Sequence, residues 1–320
     1  MSPAAIPEGI ERDYPLSRLT TIRTGGPADF FARAGSARRL ERLLEWAAES
    51  GVEVGAVGSG SNLLIADLGV RGLVVKLDGQ LARIQHEGSR LVCGGGARLP
   101  QASARAAALG LAGLEFGVSI PGTVGGAVKM NANAYGGELG RVLEWVDVCT
   151  PEGAERRLPG QLGFAYRRSN LGPLEIVARA SFALDESSPE SVKAALADMR
   201  ARRKAAQPSG IKTFGSTFKN PEDPRAEGMT AGQLLEEAGC KGLQVGGARF
   251  SPKHANFVEN VAGSATTADV LALIAEGRRR VRERFGLTLE PEVQLLGEAR
   301  FSGEDAGHAG SSGEDGSVAG

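Results

Sequence analysis

Two glycine-rich segments in the first half of the chain restrict its fold more than any other feature: GSGSNLL at residues 58–64 and GVSIPGTVGGAVKMNANAYGG at residues 117–137. Glycine permits tight turns with exposed backbone N–H groups, and such turns suit a pyrophosphate group. The first segment follows a predicted strand that ends at Val57, and Pro121 and Gly122 predict a turn in the second. The pair favours one long ligand contacted mainly through backbone, and two crowded turns without a ligand remain the alternative.

The first segment matches neither of the two common nucleotide-binding loops. A Walker loop needs a Lys followed by Ser or Thr after its glycines, and this segment contains no Lys. A G-x-G-x-x-G fingerprint would use Gly58 and Gly60, but Leu63 occupies its third glycine position. A kinase, an ATPase and a standard Rossmann dehydrogenase are therefore disfavoured.

The charge balance and the cysteine pattern exclude several classes of function. The 37 Lys and Arg residues nearly cancel the 38 Asp and Glu residues, so we expect no attraction to nucleic acid or to an acidic membrane. The three cysteines form no C-x-x-C pair and the three histidines are isolated, which predicts a reduced cytoplasmic protein without a metal site. We also find no apolar segment of the roughly 20 residues that a membrane span needs, and no signal peptide.

Hydrophobic periodicity and turn signals predict alternating helices and strands. Ser36 is placed to cap a helix that Gly51 ends. Two hairpins are expected, with turns around Gly88 and Gly153. The other expected elements are strands at 52–57, 72–77, 256–261 and 289–296, helices at 101–109, 230–238 and 266–285, and a helix that starts near 190 and ends before Pro208.

The length of 320 residues is enough for two domains or three small ones. The composition changes near residue 190, so a domain boundary is expected shortly after residue 200. Residues 302–320 contain no large apolar residue except Val318. Burial cannot offset the entropy of ordering such a segment, so we predict that this tail is disordered.

Seven motifs occur in order along the chain: GSGSNLL at 58–64, SIPGTVGGAVKMNANAYG at 119–136, YRRSN at 166–170, GSTFKNP at 215–221, AGQLLEEAGCKG at 231–242, HANFVEN at 254–260 and LEPEV at 289–293. Together they resemble the motifs of the UDP-N-acetylenolpyruvoylglucosamine reductase family. The resemblance runs from about residue 20 to residue 297, and its series of motifs is far more specific than one glycine loop. It implies an enzyme that uses FAD and NADPH to reduce UDP-N-acetylglucosamine enolpyruvate to UDP-N-acetylmuramate for peptidoglycan.

The resemblance also implies an α+β fold. It consists of an FAD-binding domain of the vanillyl-alcohol-oxidase type with subdomains at 1–77 and 78–200, followed by an α+β substrate-binding domain at 201–301. Some flavoproteins of this class attach the flavin to His or Cys near the first loop. Here no His precedes His86 and no Cys precedes Cys93, so we expect non-covalent FAD. We also expect the protein to be a monomer.

Longer members of the family carry a loop whose tyrosine closes over the substrate diphosphate. No tyrosine lies between Arg167 and Ser216 in this chain, so it resembles the shorter type without that lid. The basic segment MRARRKAAQP at 199–208 is then a candidate to hold the diphosphate, with a solvated basic face as the alternative.

Three residues match the catalytic residues of the family. Ser216 would give a proton to the carbon next to the substrate carboxylate, while Arg167 would bind that carboxylate through two N–H bonds as enolate charge grows. Glu292 would donate a proton to the enol if it is itself protonated. Glu290 lies two residues before it, on the same face if this segment is a strand, and is interpreted as a solvated carboxylate.

The remaining site residues follow from the same motifs. The resemblance assigns FAD to Gly58, Ser59, Gly60, Ser61, Asn62, Ser119, Ile120, Pro121, Gly122, Thr123, Gly125 and Gly126. Substrate-binding candidates are Tyr135, Lys219 and Asn220, then Lys129, Asn131, His254 and Asn256. Two other functions remain open: a different flavin oxidase, which the GSTFKNP and LEPEV motifs disfavour, and an inactive nucleotide-sugar sensor, which the three catalytic candidates together disfavour.

Overall fold

The computed structural model describes residues 5–301. Its first region contains β1 (Ile10–Pro15), β2 (Pro27–Ala34), α1 (Ala37–Glu49), β3 (Val54–Ala56), β4 (Leu63–Ile65) and β5 (Val70–Leu77). Four strands form a sheet in the order β1-β2-β5-β3, in which β2, β5 and β3 are parallel and β1 is antiparallel to β2. Leu40, Leu43 and Leu44 of α1 are fully buried, because their spacing places them on one face of the helix.

The second region is built on a five-stranded antiparallel sheet. Its elements are β6 (Ile84–Glu87), β7 (Arg90–Gly94), α2 (Leu99–Ala108), β8 (Leu111–Ala112), α3 (Val124–Lys129), β9 (Asn133–Ala134), β10 (Gly137–Glu138), α4 (Leu139–Val142), β11 (Leu143–Thr150), β12 (Gly153–Arg157), β13 (Ile176–Ala183), β14 (Asp185–Glu186) and α5 (Pro189–Ala206). The sheet has the order β12-β11-β13-β7-β6, and residues of α2 and α3 share its apolar core.

The third region packs two helices on a small sheet. Its elements are α6 (Ala231–Glu237), β15 (Gln244–Val245), β16 (Ala248–Phe250), β17 (Val258–Asn260), α7 (Thr267–Phe285) and β18 (Gln294–Leu296). Strands β15, β16 and β17 form the sheet, and β18 leaves the region to pair in parallel with β4 of the first region. That pairing brings the end of the third region beside the first glycine-rich loop.

Most of the local predictions are confirmed. Ser36 Oγ accepts a hydrogen bond from Arg39 N and caps α1. Both hairpins form with the expected turns, closed by the pairs Glu87 with Arg90 and Thr150 with Gly153. The division of the chain at residues 77 and 200 stays a prediction.

The expected strand at 289–296 is wrong over its first half. Only β18 is a strand, and the stretch before it makes a single bridge between Pro291 and Phe218. Pro291 has no backbone N–H to contribute to a ladder, which shortens the strand. The predicted disordered tail lies outside the described residues, and within residues 5–301 no helix is long and apolar enough to cross a membrane.

Candidate active site

The first glycine-rich loop connects β3 to β4 and contacts the second glycine-rich segment. Ser59 Oγ donates a hydrogen bond to Pro121 O at 2.6 Å, and Ser61 Oγ lies 2.9 Å from Ser59 Oγ. A Cβ on Gly58 would lie 2.4 Å from Thr123 Oγ1, so a larger residue does not fit there. The structure thus brings together the two segments that the sequence pattern attributes to one ligand.

Gly60 lies at the most crowded point of the first loop. Its φ is +65°, and a Cβ there would lie 2.0 Å from Leu19 O. Thr21 N donates to Gly60 O at 3.0 Å, and Thr21 Oγ1 lies 2.6 Å from Thr213 O. Thr21 therefore joins the loop to the segment before Ser216, a role for which a lone threonine carries no sequence signal.

The second segment is held mainly by its backbone. Thr123 caps α3 by accepting from Gly126 N at 3.4 Å, and Gly125 N donates to Gly95 O at 2.7 Å. A Cβ on Gly125 would lie 3.0 Å from that same oxygen. The glycines of this segment thus allow two backbones to approach closely.

Ser119 is the third residue of the second segment, and its hydroxyl makes no hydrogen bond within the described residues. Ser119 Oγ is buried without a hydrogen-bond partner among the described residues, and Ser119 O accepts a hydrogen bond from Arg203. Ile120 packs against the core of the second region, and Gly122 O accepts from Leu99 N at 3.0 Å. A buried hydroxyl without a partner indicates a place where a ligand supplies one.

Lys76 adds a cation to the loops, although no sequence motif pointed to it. Lys76 Nζ donates to Gly58 O at 2.5 Å. Burial lowers the pKa of Lys76, and the neighbouring Arg33 and Arg98 lower it further, while Asp78 opposes them. Hydroxyls, crowded glycines and this local positive charge fit the diphosphate of FAD.

Arg167 and Glu292 form an ion pair that joins the second region to the end of the third. Arg167 Nε lies 2.7 Å from Glu292 Oε1, without the geometry of a directed hydrogen bond, and Arg167 Nη1 donates to Asn133 O at 3.1 Å. Only 18% and 14% of the two side chains are exposed. Arg167 has a φ of +56° in a tight turn between Ala165 and Arg168. Non-glycine residues rarely adopt that conformation, and when they do it is often at a functional site.

Glu292 is a buried carboxyl group with an altered acidity. Burial raises its pKa, whereas Arg167 and Lys219 lower it, and the net direction is upward. The ion pair favours the charged form but does not fully compensate for the loss of water. Glu292 can therefore hold a proton at a higher pH than an exposed glutamate.

Ser216 lies between the first loop and Glu292. A Cβ on Gly215 would be 3.4 Å from Ser61 O, which places the GSTFKNP motif beside that loop. Thr217 O accepts a hydrogen bond from Glu292 N at 2.8 Å. The side chain of Asn62, expected to face FAD, donates to Glu292 O at 3.2 Å. The structure thus collects one loop of the first region and two segments of the third.

Glu290 and Glu292 differ in exposure, and neither lies in a regular strand, so the same-face expectation, which depended on a strand, does not apply. The side chain of Glu290 is 70% exposed and forms an ion pair with Lys219. The side chain of Glu292, in contrast, is 14% exposed and pairs with Arg167. Glu290 is thus solvated, as expected, and Lys219 reaches the surface beside it.

The other two substrate candidates, Tyr135 and Asn220, are exposed. Tyr135 has a φ of +50° and is 42% exposed. Asn220 is exposed, and its Oδ1 accepts a hydrogen bond from Ala231 N at 3.1 Å, close to the start of α6. Part of the amide of Asn220 is therefore used within the protein.

Three of the weaker candidates make internal contacts. Lys129 Nζ donates to Leu171 O, and burial lowers its pKa. Asn131 is 1% exposed, and its amide bonds Glu138 and the backbone at Ala165 and Gly140. His254 Nδ1 accepts a hydrogen bond from Asn256 N at 3.2 Å, and of these two residues only Asn256 is buried.

The basic segment presents one side chain inward. Arg203 is half-buried, and burial lowers its pKa while Tyr135 acts in the opposite direction. The other three basic side chains, at Arg200, Arg202 and Lys204, are exposed. The helix therefore directs one of the four basic side chains inward.

Comparison with known proteins identifies the same family over most of the chain. The C-terminal domain of UDP-N-acetylenolpyruvoylglucosamine reductase matches residues 207–296, and an FAD binding domain matches residues 28–158. UDP-N-acetylenolpyruvoylglucosamine reductase 2 of Symbiobacterium thermophilum is 45% identical over 91% of this chain and 93% of its own length. The reductase of Anaeromyxobacter sp. (strain K) is 43% identical over 97% and 93%.

A solved structure is similar as well. The crystal structure of UDP-N-acetylenolpyruvylglucosamine reductase from Thermus caldophilus aligns with a TM-score of 0.77 at 38% identity. The alignment covers 90% of this chain and 98% of that chain, so the similarity extends over the three regions and not over the FAD domain alone.

Proposed function

Because the chain belongs to the UDP-N-acetylenolpyruvoylglucosamine reductase family, we propose that Arg167, Ser216 and Glu292 are its catalytic residues. The protein is an FAD-dependent oxidoreductase of peptidoglycan precursor synthesis and acts on a UDP-sugar. The observation that carries the proposal is the buried ion pair between Arg167 and Glu292. The backbone N–H of Glu292 donates a hydrogen bond to the backbone of Thr217, the residue after Ser216.

The proposed reaction converts an enolpyruvyl ether to a lactyl ether. One NADPH and one proton are consumed for each carbon–carbon double bond reduced, and NADP⁺ is released. The two glycine-rich loops would hold FAD non-covalently, and the bound flavin would supply hydride transfer between NADPH and the enolpyruvyl carbon distant from the carboxylate.

Arg167 binds the substrate carboxylate in this proposal. Its guanidinium has two parallel N–H groups, which match the two carboxylate oxygens. Negative charge grows on these oxygens as the double bond is reduced, so the interaction strengthens in the transition state. The tight turn and the bond to Asn133 O hold the guanidinium in place before substrate arrives.

Ser216 and Glu292 are the proposed proton donors. Ser216 donates to the carbon next to the carboxylate, and its weakly acidic hydroxyl needs neighbours that stabilise the alkoxide briefly. Glu292 in its protonated form donates to the developing enol. The raised pKa of Glu292 supports this role, because more of the protonated form is present than for an exposed glutamate.

Tyr135, Lys219 and Asn220 are proposed to contact the UDP part at the rim. We further propose that Arg203 faces the diphosphate, because it alone of the four basic residues of its segment is half-buried and it bonds the second loop at Ser119. The protein is proposed to be a cytoplasmic monomer that binds neither nucleic acid nor membranes, in keeping with its nearly balanced charge.

Anaerobic absorption spectroscopy of the purified holoenzyme tests the proposal. The protein should be yellow, and acid or heat should release the flavin. NADPH should bleach the flavin band, and UDP-N-acetylglucosamine enolpyruvate should restore it, whereas UDP-N-acetylglucosamine without the enolpyruvyl group should not. Reduced flavin that this substrate fails to reoxidise would contradict the proposed function.

A further inference from the structure

Asn256 of the HANFVEN motif holds the segment that contains Ser216. It is only 4% exposed, and its side-chain amide bonds both backbone groups of Phe218: Oδ1 accepts from Phe218 N at 2.9 Å and Nδ2 donates to Phe218 O at 2.9 Å. Its own backbone O accepts from Thr217 N at 2.8 Å. One residue thus makes three hydrogen bonds to the two residues that follow Ser216.

The opposite edge of the same segment holds Glu292. Thr217 O accepts from Glu292 N at 2.8 Å, and Lys219 N donates to Glu290 O at 2.9 Å. Residues 216–219 are therefore bracketed by Asn256 on one side and by the chain around Glu292 on the other. The segment belongs to no named strand and makes only isolated bridges, so no continuous ladder holds it in register.

We propose that Asn256 is a positioning residue that keeps Ser216 and Glu292 at the separation needed for proton donation. The proposal rests on the proposed function, in which these two side chains are the proton donors. Only a side chain with both a donor and an acceptor can bond the N–H and the C=O of one residue, and an amide has both. A displacement of about 1 Å at a reacting group lowers a rate by roughly 100-fold, so small movements of this segment matter.

Asn256→Asp removes the donor while keeping the size of the side chain. The introduced carboxylate oxygen would face Phe218 O, and two acceptors repel each other. The matched control is Asn260→Asp in the same motif. Asn260 is 6% exposed and also bonds two backbone groups, Ile22 O at 2.8 Å and Ala265 N at 2.9 Å, but its side chain does not bond residues 216–219.

Two measurements on these variants test the proposal. In the FAD-free chain, Asn256→Asp should speed amide hydrogen exchange in peptides covering 214–219 and 290–293, and Asn260→Asp should not. In the holoenzyme, Asn256→Asp should leave bleaching of the flavin by NADPH within about twofold and slow reoxidation by the enolpyruvyl substrate by roughly 100-fold. Asn260→Asp should change the rates of flavin reduction and of flavin reoxidation by the same factor, to within about twofold, relative to the parent.

Each outcome decides the matter. Unchanged exchange in 214–219, or equal slowing of both half-reactions in Asn256→Asp, would overturn the positioning role. If Asn256→Asp does not fold, Asn256→Ser, which retains the backbone bond to Thr217 and a small hydroxyl, is measured against the same criteria. Failure of the parent protein to reoxidise its flavin would instead refute the proposed function, and the exchange measurement would still judge Asn256.

Discussion

Gly60→Ala should destabilise the first region and weaken FAD binding. At a φ of +65°, an L-residue is disfavoured by about 1–2 kcal/mol. The added Cβ would also lie 2.0 Å from Leu19 O and 2.7 Å from Thr20 Cα. Both are backbone atoms that cannot rotate away, so the loop or the segment after Leu19 must move.

Gly51→Ala separates these two effects. Gly51 has nearly the same φ, +64°, in the same region of the chain, but a Cβ there has nothing within 4 Å. Gly51→Ala should therefore lower the free energy of unfolding only by the conformational cost of a positive φ, about 1–2 kcal/mol. Overpacking at Gly60 adds about 1–3 kcal/mol, which corresponds to an additional 5- to 150-fold in the unfolding equilibrium constant.

Denaturant titration followed by tryptophan fluorescence measures the difference. Trp46 is a suitable probe because it is 6% exposed and packs edge-on against Phe30 in the first region. Flavin fluorescence gives the FAD dissociation constant, which should rise for Gly60→Ala and stay unchanged for Gly51→Ala. Equal destabilisation by both variants, or unchanged FAD affinity in Gly60→Ala, would refute the reasoning.

Four further predictions address the site. Ser216→Ala should leave NADPH-dependent bleaching unchanged and slow reoxidation by about 10²–10⁴-fold, which stopped-flow absorbance separates; equal slowing of both steps would make Ser216 structural. Arg203→Ala should raise the Michaelis constant for the UDP substrate by roughly 10- to 150-fold, as for a lost charge-assisted hydrogen bond, with exposed Lys204→Ala as the unaffected control in steady-state kinetics. Because the folded-state pKa of Glu292 is raised, its contribution to stability is complete below the ordinary glutamate pKa of 4.5 and is lost as pH rises through the folded pKa; denaturant titrations at several pH values should show this loss in the parent and not in Glu292→Gln. Burial raises the pKa of the Cys93 thiol to about 12, so iodoacetamide should label it only after denaturation, as mass spectrometry would show.

Local features of this protein could be predicted from sequence because they depend on near neighbours. Ser36 bonds the amide of Arg39 three residues along, and the hairpin around Gly88 is closed by adjacent residues. The first glycine-rich segment likewise predicted a tight turn. In the structure, Gly58 and Gly60 of this segment have no room for a Cβ. Such features follow from backbone geometry and short-range hydrogen bonding, which any local segment carries with it.

The arrangement of the site depended on tertiary structure. The burial of Glu292 beside Arg167 could not be derived from the sequence pattern, whereas the exposure of Glu290 was predicted. Lys76 belongs to no motif, and the motif that contains Asn256 suggested a substrate contact and not a contact with Phe218. These contacts join residues from 18 to more than 100 positions apart. The Arg167–Glu292 pair forms only when the second and third regions pack together, and the other two contacts join segments that are distant in sequence within one region. The free energy that places these side chains comes from burial and hydrogen bonding between segments and not from the conformational preferences of any one segment.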